Sequence, residues 1–412
     1  MAVKASHDSL PLTATVTPAS QEETQAAVRD AFRQNTPLYP IGGGTSLDYG
    51  LPAREPGLGL SLTGLNRVVD YPARDLTITV DAGMTLATLR QMLAAEHQWL
   101  PIDAPEPETA TLGGLIATNF SGPRRFGYGT MRDYLIGVTA IDGRGVMFHG
   151  GGRVVKNVAG YDFCKLLIGS LGTLGVVVQV TLKVKPLPEA SAFVVHPLTN
   201  LAGAEPLLKA LVNSRTTPAA VELLAGPAWA NDPALASVQT GQALVVGLEG
   251  TGPEVEYMQR QLLEEWRQLG AVGHAVPQGQ VPGLWERLTA FAAERQGLVF
   301  QASVVPSAVV GLAQQIQSLA GDASILAHAG SGTLVARLPS IDPADVAPTM
   351  IRTIQPAVRA ASGSITALAL PPGAERTRQL VWGPASEGEP LMRAVKEQFD
   401  PQGLLNPGRF IY

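Results

Sequence analysis

Apolar positions along the chain fall into short alternating or continuous runs punctuated by glycine and proline, a pattern that predicts mixed helix and strand. From Ser20 to Arg33 the run SQEETQAAVRDAFR sets Ala27, Val28, Ala31 and Phe32 at helical spacing behind a polar cap, which predicts an amphipathic helix. The segment PLYPIGGGTS predicts a strand running into a glycine turn. DLTITV, Asp75 to Val80, alternates as a strand does, and Met84 to His97 then places Leu86, Leu89, Leu93 and Ala94 on one helical face behind Thr85 as N-cap. Tyr134 to Ile141, the turn Asp142-Gly143-Arg144-Gly145 and Val146 to His149 predict a β-hairpin, because those turn residues accept positive φ. The β-branched run VVVQVTLKV after Leu174 stops at Pro186 and Pro188, which marks a boundary between domains.

Beyond Ala190 the pattern becomes hydrophobic strands alternating with helices. Strands are expected at Ala220–Ala225, Ala243–Leu248, Leu298–Val304, Ser324–His328, Thr333–Leu338 and Ser364–Leu370, and helices at Pro253–Gly270, Ser307–Leu319 and Pro343–Ala360. The turn Gly330-Ser331-Gly332 is too short for a crossover, so its flanking strands must be antiparallel. No internal repeat is legible. A helix from Leu391 leads into FDPQGLLNPGRFIY, whose prolines and glycines stop any regular element. The expectation is an α+β chain with domains at 17–188 and 190–375 and a C-terminal segment, 376–412, that returns to the first domain.

Composition narrows the function. Hydrophobic residues make up 45% and charged residues 16% of the 412, against roughly 25% charged in ordinary soluble domains, so disorder and coiled coil are excluded as the main theme. Lys+Arg 30 against Asp+Glu 35, with no run of like charge, leaves no electrostatic footprint for nucleic acid or an anionic membrane. The single cysteine, Cys164, cannot form an intrachain disulfide, and with six scattered histidines it cannot build a zinc or iron–sulfur site. Any metal redox centre is therefore expected in another chain. Met1 to Pro18 lacks a basic segment followed by an apolar one, so no signal peptide is read there and a cytoplasmic location, with membrane association through partners, is the expectation. Leu166 to Leu182 is long and uncharged, but Gly169, Gly172 and Gly175 suit a glycine turn feeding a buried strand rather than a membrane span.

Three glycine clusters precede residue 180. Gly42-Gly43-Gly44-Thr45-Ser46 follows the strand end Tyr39-Pro40-Ile41, and successive glycine N–H groups can form a nest for phosphate oxygens; a plain tight turn fits equally well. Neither a Gly-Lys-Ser/Thr nor a GxGxxG pattern is present. Thr111 to Asn119 allows close approach at Gly113, Gly114 and Ala117 and carries polar tips at Thr118 and Asn119, although a tightly packed Gly/Ala helix reads the same way. The third cluster is Gly169 to Val176. Taken together they are too many for turns alone.

The order YPIGGGTS, then TLGGLIATNFSG with RRFGYGTMRDYLIG, then VVKNVAGYDFCKLLIGSLGTLGVV, resembles the FAD-binding domain of the vanillyl-alcohol oxidase family, the PCMH type, over about Thr17 to Pro188. The NPGR at Asn406 to Arg409 is similar to that family's C-terminus. The resemblance implies a PCMH-type domain of two α/β subdomains, a smaller cap domain with a largely antiparallel sheet, and FAD as cofactor. It makes Ile41, Gly42, Gly43, Gly44, Thr45 and Ser46 the pyrophosphate loop. Pro105, Thr111, Gly113, Gly114, Ala117, Thr118, Asn119 and Gly122 would line the isoalloxazine and ribityl region, and Gly172, Gly175 and Val176 would touch the flavin or adenine through backbone atoms. No His or Cys stands in Gly42–Ser46 or Thr111–Gly122, so the flavin is expected to be non-covalent. Leu171 replaces the Glu of the common GSEGTLG pattern, a departure similar to the FAD-binding subunits of bacterial glycolate oxidases, whose partners are a catalytic FAD subunit and an iron–sulfur subunit.

Oxidation of a 2-hydroxy acid such as glycolate by a flavin needs a cation for the carboxylate and a base for the hydroxyl proton. Arg125, Arg132 and Lys156 are the cations within the flavin motifs, and each reads equally well as a surface or loop-bracing charge. Where catalytic relatives carry HAGDGNxH, this chain has His328-Ala329-Gly330-Ser331-Gly332-Thr333-Leu334-Val335, so His328 survives alone and no metal site is expected. Arg125, Lys156 and His328 are the candidate catalytic residues. The leading expectation is an FAD-binding glycolate oxidase subunit that passes electrons to a partner and is inactive alone. The competitors are a self-sufficient FAD-dependent 2-hydroxy-acid dehydrogenase and a non-redox structural subunit of the same complex.

Overall fold

The computed structural model describes residues 10–53, 55–152, 160–235, 238 and 241–412, which form two compact units. The first comprises the described residues up to Ser121, Thr130–Leu187 and Ala385–Tyr412. Besides a short pairing of Gln98–Trp99 with Lys185–Pro186, it holds two larger sheets of different character. In one, strand Gly57–Ser61 runs parallel between Leu12–Val16 and Leu38–Ile41. Helix Gln21–Gln34 starts at Ser20, whose hydroxyl accepts the Glu23 N–H, and ends at Asn35 in the left-handed region. Its Val28 and Ala31 share a core with Leu38, Leu60, Leu62, Leu65 and Leu405.

The other sheet is antiparallel, in the order Val68–Asp70, Thr77–Asp81, Val176–Lys183, Leu135–Ile141, Met147–Gly151. Helix Leu86–Ala94 buries Leu86, Leu89 and Leu93 completely, each worth about 1.5–3 kcal/mol over exposure, in the core that Ile78, Val80, Val180 and Leu182 build from the sheet. These two layers give the two α/β subdomains. Helix Glu389–Phe399 brings the chain back, and the N–H groups of Leu38 and Asn406 donate to the carbonyls of Leu404 and Leu38 at 2.8 and 2.9 Å.

The second unit comprises Gly122–Gly129 and Pro188–Pro384. Its eight-stranded sheet is antiparallel throughout, in the order His274–Ala275, Ala190–Pro197, Ala243–Gly250, Ala220–Ala225, Ser324–His328, Thr333–Leu338, Leu298–Ser303, Ser364–Ala369. Taken in chain order these strands form two successive β-α-β-β-α-β halves that join at their second strands. The internal repeat that the sequence did not reveal is therefore present in the fold; like topology requires like hydrophobic periodicity, not like residues.

Several elements escaped the sequence pattern, among them strands Leu12–Val16, Gly57–Ser61, Val68–Asp70 and Ala190–Pro197 and helices Ala204–Leu211 and Val281–Ala290. The expected helix Pro343–Ala360 is interrupted, with helical turns at Pro343–Ala347 and Gln355–Ala360 around a wider π-type stretch, Pro348–Ile354. Pro348 and Pro356 lack the N–H that a regular helix needs there. The eight residues Gly122–Gly129 lie within the span that the sequence assigns to the first domain, yet they pack with the second unit.

Candidate functional site

In the first unit the three glycine clusters converge. A Cβ on Gly42 would lie 2.1 Å from Thr111 Oγ1, and one on Gly43 would lie 1.6 Å from the Thr109 carbonyl oxygen, so only glycine lets the first loop meet the second. Thr111 caps helix Leu112–Thr118 and accepts the Gly114 N–H. The third cluster joins the far end of that helix, where the N–H groups of Gly169 and Leu171 each donate at 2.9 Å to the carbonyls of Ile116 and Ala117. Gly172 then meets Asn406, whose Nδ2 donates to the Leu171 carbonyl at 2.6 Å.

The donor set suits an anion. Among the described residues, the N–H groups of Gly42, Gly43, Gly44, Thr45 and Ser46 donate to no protein acceptor, and all but Gly44 are partly buried. Consecutive unused donors in one turn are what a pyrophosphate requires. Ile41 ends the preceding strand, Gly113 donates to the Ala82 carbonyl, Pro105 is half-buried just before the Thr109–Thr111 turn, and Gly175 and Val176 open strand Val176–Lys183. Ala117 supplies a backbone acceptor. The Thr118 hydroxyl donates to the Gly114 carbonyl at 2.9 Å and keeps its acceptor lone pairs. Asn119, at the helix end with φ 53°, keeps an exposed amide without a protein hydrogen bond among the described residues. Gly122 opens the segment that packs with the second unit.

The second unit gathers a separate set of groups. Glu222 stands opposite His328 across the seam of the two halves, so both side chains project from the same face of the sheet. Glu222 Oε2 lies 2.7 Å from His328 Nδ1, and the two side chains are 0% and 5% exposed. A carboxylate in its ionised form can only accept, so it admits only a donor at Nδ1. Ring nitrogen Nε2 makes no hydrogen bond among the described residues. His328 is therefore paired, not alone as the sequence suggested.

The 122–129 segment sets Arg125 within charge range of Glu222. Three contacts anchor that segment: Arg124 binds Glu249 and lies over the Trp285 ring, the Phe126 ring fills the space beside Gly330, and the Gly127 N–H donates to the Ala219 carbonyl. The half-buried Arg125 guanidinium makes no protein hydrogen bond among the described residues. Burial holds its pKa below the usual arginine value, and the Glu222 charge opposes that shift. A desolvated guanidinium with unused donors suits a carboxylate.

Arg132 is exposed on the first unit, within charge range of Asp162, and Lys156 lies outside the described residues. Cys164 is buried and packs against the Gly150 carbonyl, and burial raises its thiol to about 11. The sequence reading missed Glu222. Its signal was present as the one acid in the apolar strand AVELLA, since a carboxylate in a buried strand needs a partner.

Residues 12–151 match the FAD binding domain and residues 187–410 match the C-terminal domain of FAD linked oxidases, so the chain belongs to the FAD-linked oxidase family and uses FAD. It is 27% identical over 417 residues to glycolate oxidase subunit GlcD of Bacillus subtilis, covering 96% of this chain and 88% of that protein. It is 38% identical over 165 residues to glycolate oxidase subunit GlcE of Escherichia coli, covering 40% of this chain and 47% of the relative. With D-2-hydroxyglutarate dehydrogenase of Xanthomonas citri pv. viticola it shares 40% over 174 residues, 42% of this chain and 37% of that one. The last two matches thus span less than half of those proteins. A solved structure of alkyldihydroxyacetonephosphate synthase shares the fold, with a TM-score of 0.70 at 18% identity over 96% of this chain and 77% of that one. Among the described residues no helix is long and apolar enough to cross a membrane.

Proposed function

We propose that this chain is an FAD-dependent dehydrogenase of a small 2-hydroxy acid such as glycolate, working as the flavin-binding subunit of a glycolate-oxidase-type complex. The half-buried Arg125 guanidinium, with no protein hydrogen bond among the described residues and within charge range of Glu222 in the Glu222–His328 pair, carries the reading. Arg125 holds the substrate carboxylate, and His328 Nε2 takes the hydroxyl proton as the C–O bond becomes a carbonyl. The residues Ile41–Ser46, Thr111–Asn119 and Gly172–Val176 hold FAD non-covalently. When bound, FAD supplies the acceptor for the hydride that leaves the substrate carbon. The names of the relatives, glycolate oxidase subunits and hydroxy-acid dehydrogenases, support the substrate class.

A subunit role fits the chemistry of re-oxidation. Two relatives are named as subunits of glycolate oxidases, which supports electrons passing from this chain to a partner with an iron–sulfur relay. The paired His328 favours substrate oxidation on this chain itself, in place of the expectation that it is inert alone. The test is the flavin's visible absorbance in the purified, FAD-loaded chain under anaerobic glycolate or D-lactate. Bleaching without a partner, with steady turnover restored only by an acceptor or partner subunit, is the expected result. A band that persists with every 2-hydroxy acid until a catalytic partner is added moves the chemistry to that partner. A chain that stays colourless after FAD reconstitution rejects the reading.

A further inference from the structure

Glu222 has no packing reason to be an acid. It sits in the run Ala220-Val221-Glu222-Leu223-Leu224-Ala225, completely buried, where leucine would bury as well without the cost of desolvating a charge. Its place in the register is the informative feature. It faces His328 directly across the single strand pair that joins the two halves of the sheet, 106 residues along the chain, and its Oε2 meets Nδ1 at 2.7 Å. The opposite ring nitrogen makes no hydrogen bond among the described residues, and the half-buried Arg125 guanidinium lies within charge range of the carboxylate.

We propose that Glu222 is a positioning residue that locks His328 as the Nδ1–H tautomer and so presents the Nε2 lone pair to the hydroxyl of the substrate. The carboxylate does this in two ways. Being acceptor-only, it admits only a donor at Nδ1, which fixes where the proton sits. Being held on a central strand, it also fixes the ring plane, because neither partner can turn without leaving a buried charge unpaired. The proton that Nε2 receives leaves an imidazolium that the adjacent carboxylate stabilises, while the C–H bond loses its hydride and the C–O bond gains a second bond order. This inference rests on the dehydrogenase reading above.

Two measurements separate it from a purely structural pairing. The first is the long-range 1H–15N spectrum of the FAD-loaded chain with labelled histidine at about pH 8, where an ordinary imidazole is neutral. His328, identified by its loss in His328→Gln, is expected as the Nδ1–H tautomer, and Glu222→Gln should erase that preference because an amide can donate as well as accept. The second is single-turnover flavin reduction. Glu222→Gln should slow the reduction step about 10²-fold at saturating substrate with little change in substrate dissociation. In addition, Glu222→Gln/His328→Gln should be no slower than His328→Gln alone. If His328→Gln does not fold, His328→Asn takes its place.

A wild-type His328 protonated at Nε2, a Glu222→Gln spectrum unchanged from wild type, or additive losses in the double variant overturns the proposal. If no 2-hydroxy acid reduces the wild-type flavin but the tautomer shifts as expected, the dehydrogenase reading fails while the control of His328 by Glu222 stands.

Discussion

Arg124 grips Glu249 with a planar fork, Nε to both carboxylate oxygens at 3.0 and 3.1 Å and Nη2 to Oε1 at 2.8 Å, while its guanidinium lies 3.7 Å from the centre of the Trp285 ring. The side chains are 14% and 2% exposed, so this is a buried pair whose loss leaves a charge without compensation. The clamp ties the 122–129 segment to the second unit and thereby delivers Arg125 to Glu222.

Arg124→Ala should therefore destabilise the protein by about 3–5 kcal/mol in chemical denaturation. Arg124→Lys should recover little of it, since an ammonium cannot reproduce the bidentate fork or the stacking. An Arg124→Ala protein as stable as wild type would remove the clamp from the account.

Gly43→Ala tests the proposed flavin loop. Its Cβ would collide with the Thr109 carbonyl, so the two loops must separate, and the variant should purify with little or no flavin. Gly279→Ala, where nothing lies within 4 Å of the added carbon, should keep its full flavin absorbance and melting temperature. Equal flavin content in the two variants would count against the loop.

Lys396 donates to the Thr173 and Leu405 carbonyls at 2.7 and 3.1 Å and to Asp400 Oδ2 at 2.5 Å. Asp400 is completely buried at its side chain, so Lys396→Met should cost about 3–5 kcal/mol by stranding it. The same change should speed hydrogen exchange in Gly169–Val176, because the C-terminal helix no longer pins that loop. Lys396→Met/Asp400→Asn should recover part of the stability, and no recovery would mean the pair is not what holds the segment.

Cys164 provides a pH-dependent readout. Burial lifts its thiol to about 11, so at about pH 8 roughly one molecule in 10³ is thiolate. Raising the pH increases that fraction only toward the raised value, so the folded protein should react with a thiol reagent far more slowly than the unfolded chain from neutral pH to about 10. Rapid labelling of folded protein at neutral pH would contradict the buried placement of helix Phe163–Leu167.

Local periodicity determined a good deal. Ser20 and Thr85 cap helices where their sequences place them, the hairpin at Asp142–Gly145 forms, and strands Ala220–Ala225, Ser324–His328 and Thr333–Leu338 stand at the expected residues. Such features depend on neighbours a few residues apart, and side-chain chemistry alone encodes them. The glycine clusters were legible for the same reason, because only glycine tolerates the close approach at Gly42 and Gly43. Tertiary structure decided which strand pairs with which. The seam that sets Glu222 against His328, the doubling of the β-α-β-β-α-β half and the docking of Arg124 and Arg125 on the second unit all depend on contacts far apart along the chain. Hydrophobic patterning tells each strand which face to bury but not which neighbour to choose, so the acid that completes the histidine remained hidden inside an apolar run until the sheet was assembled.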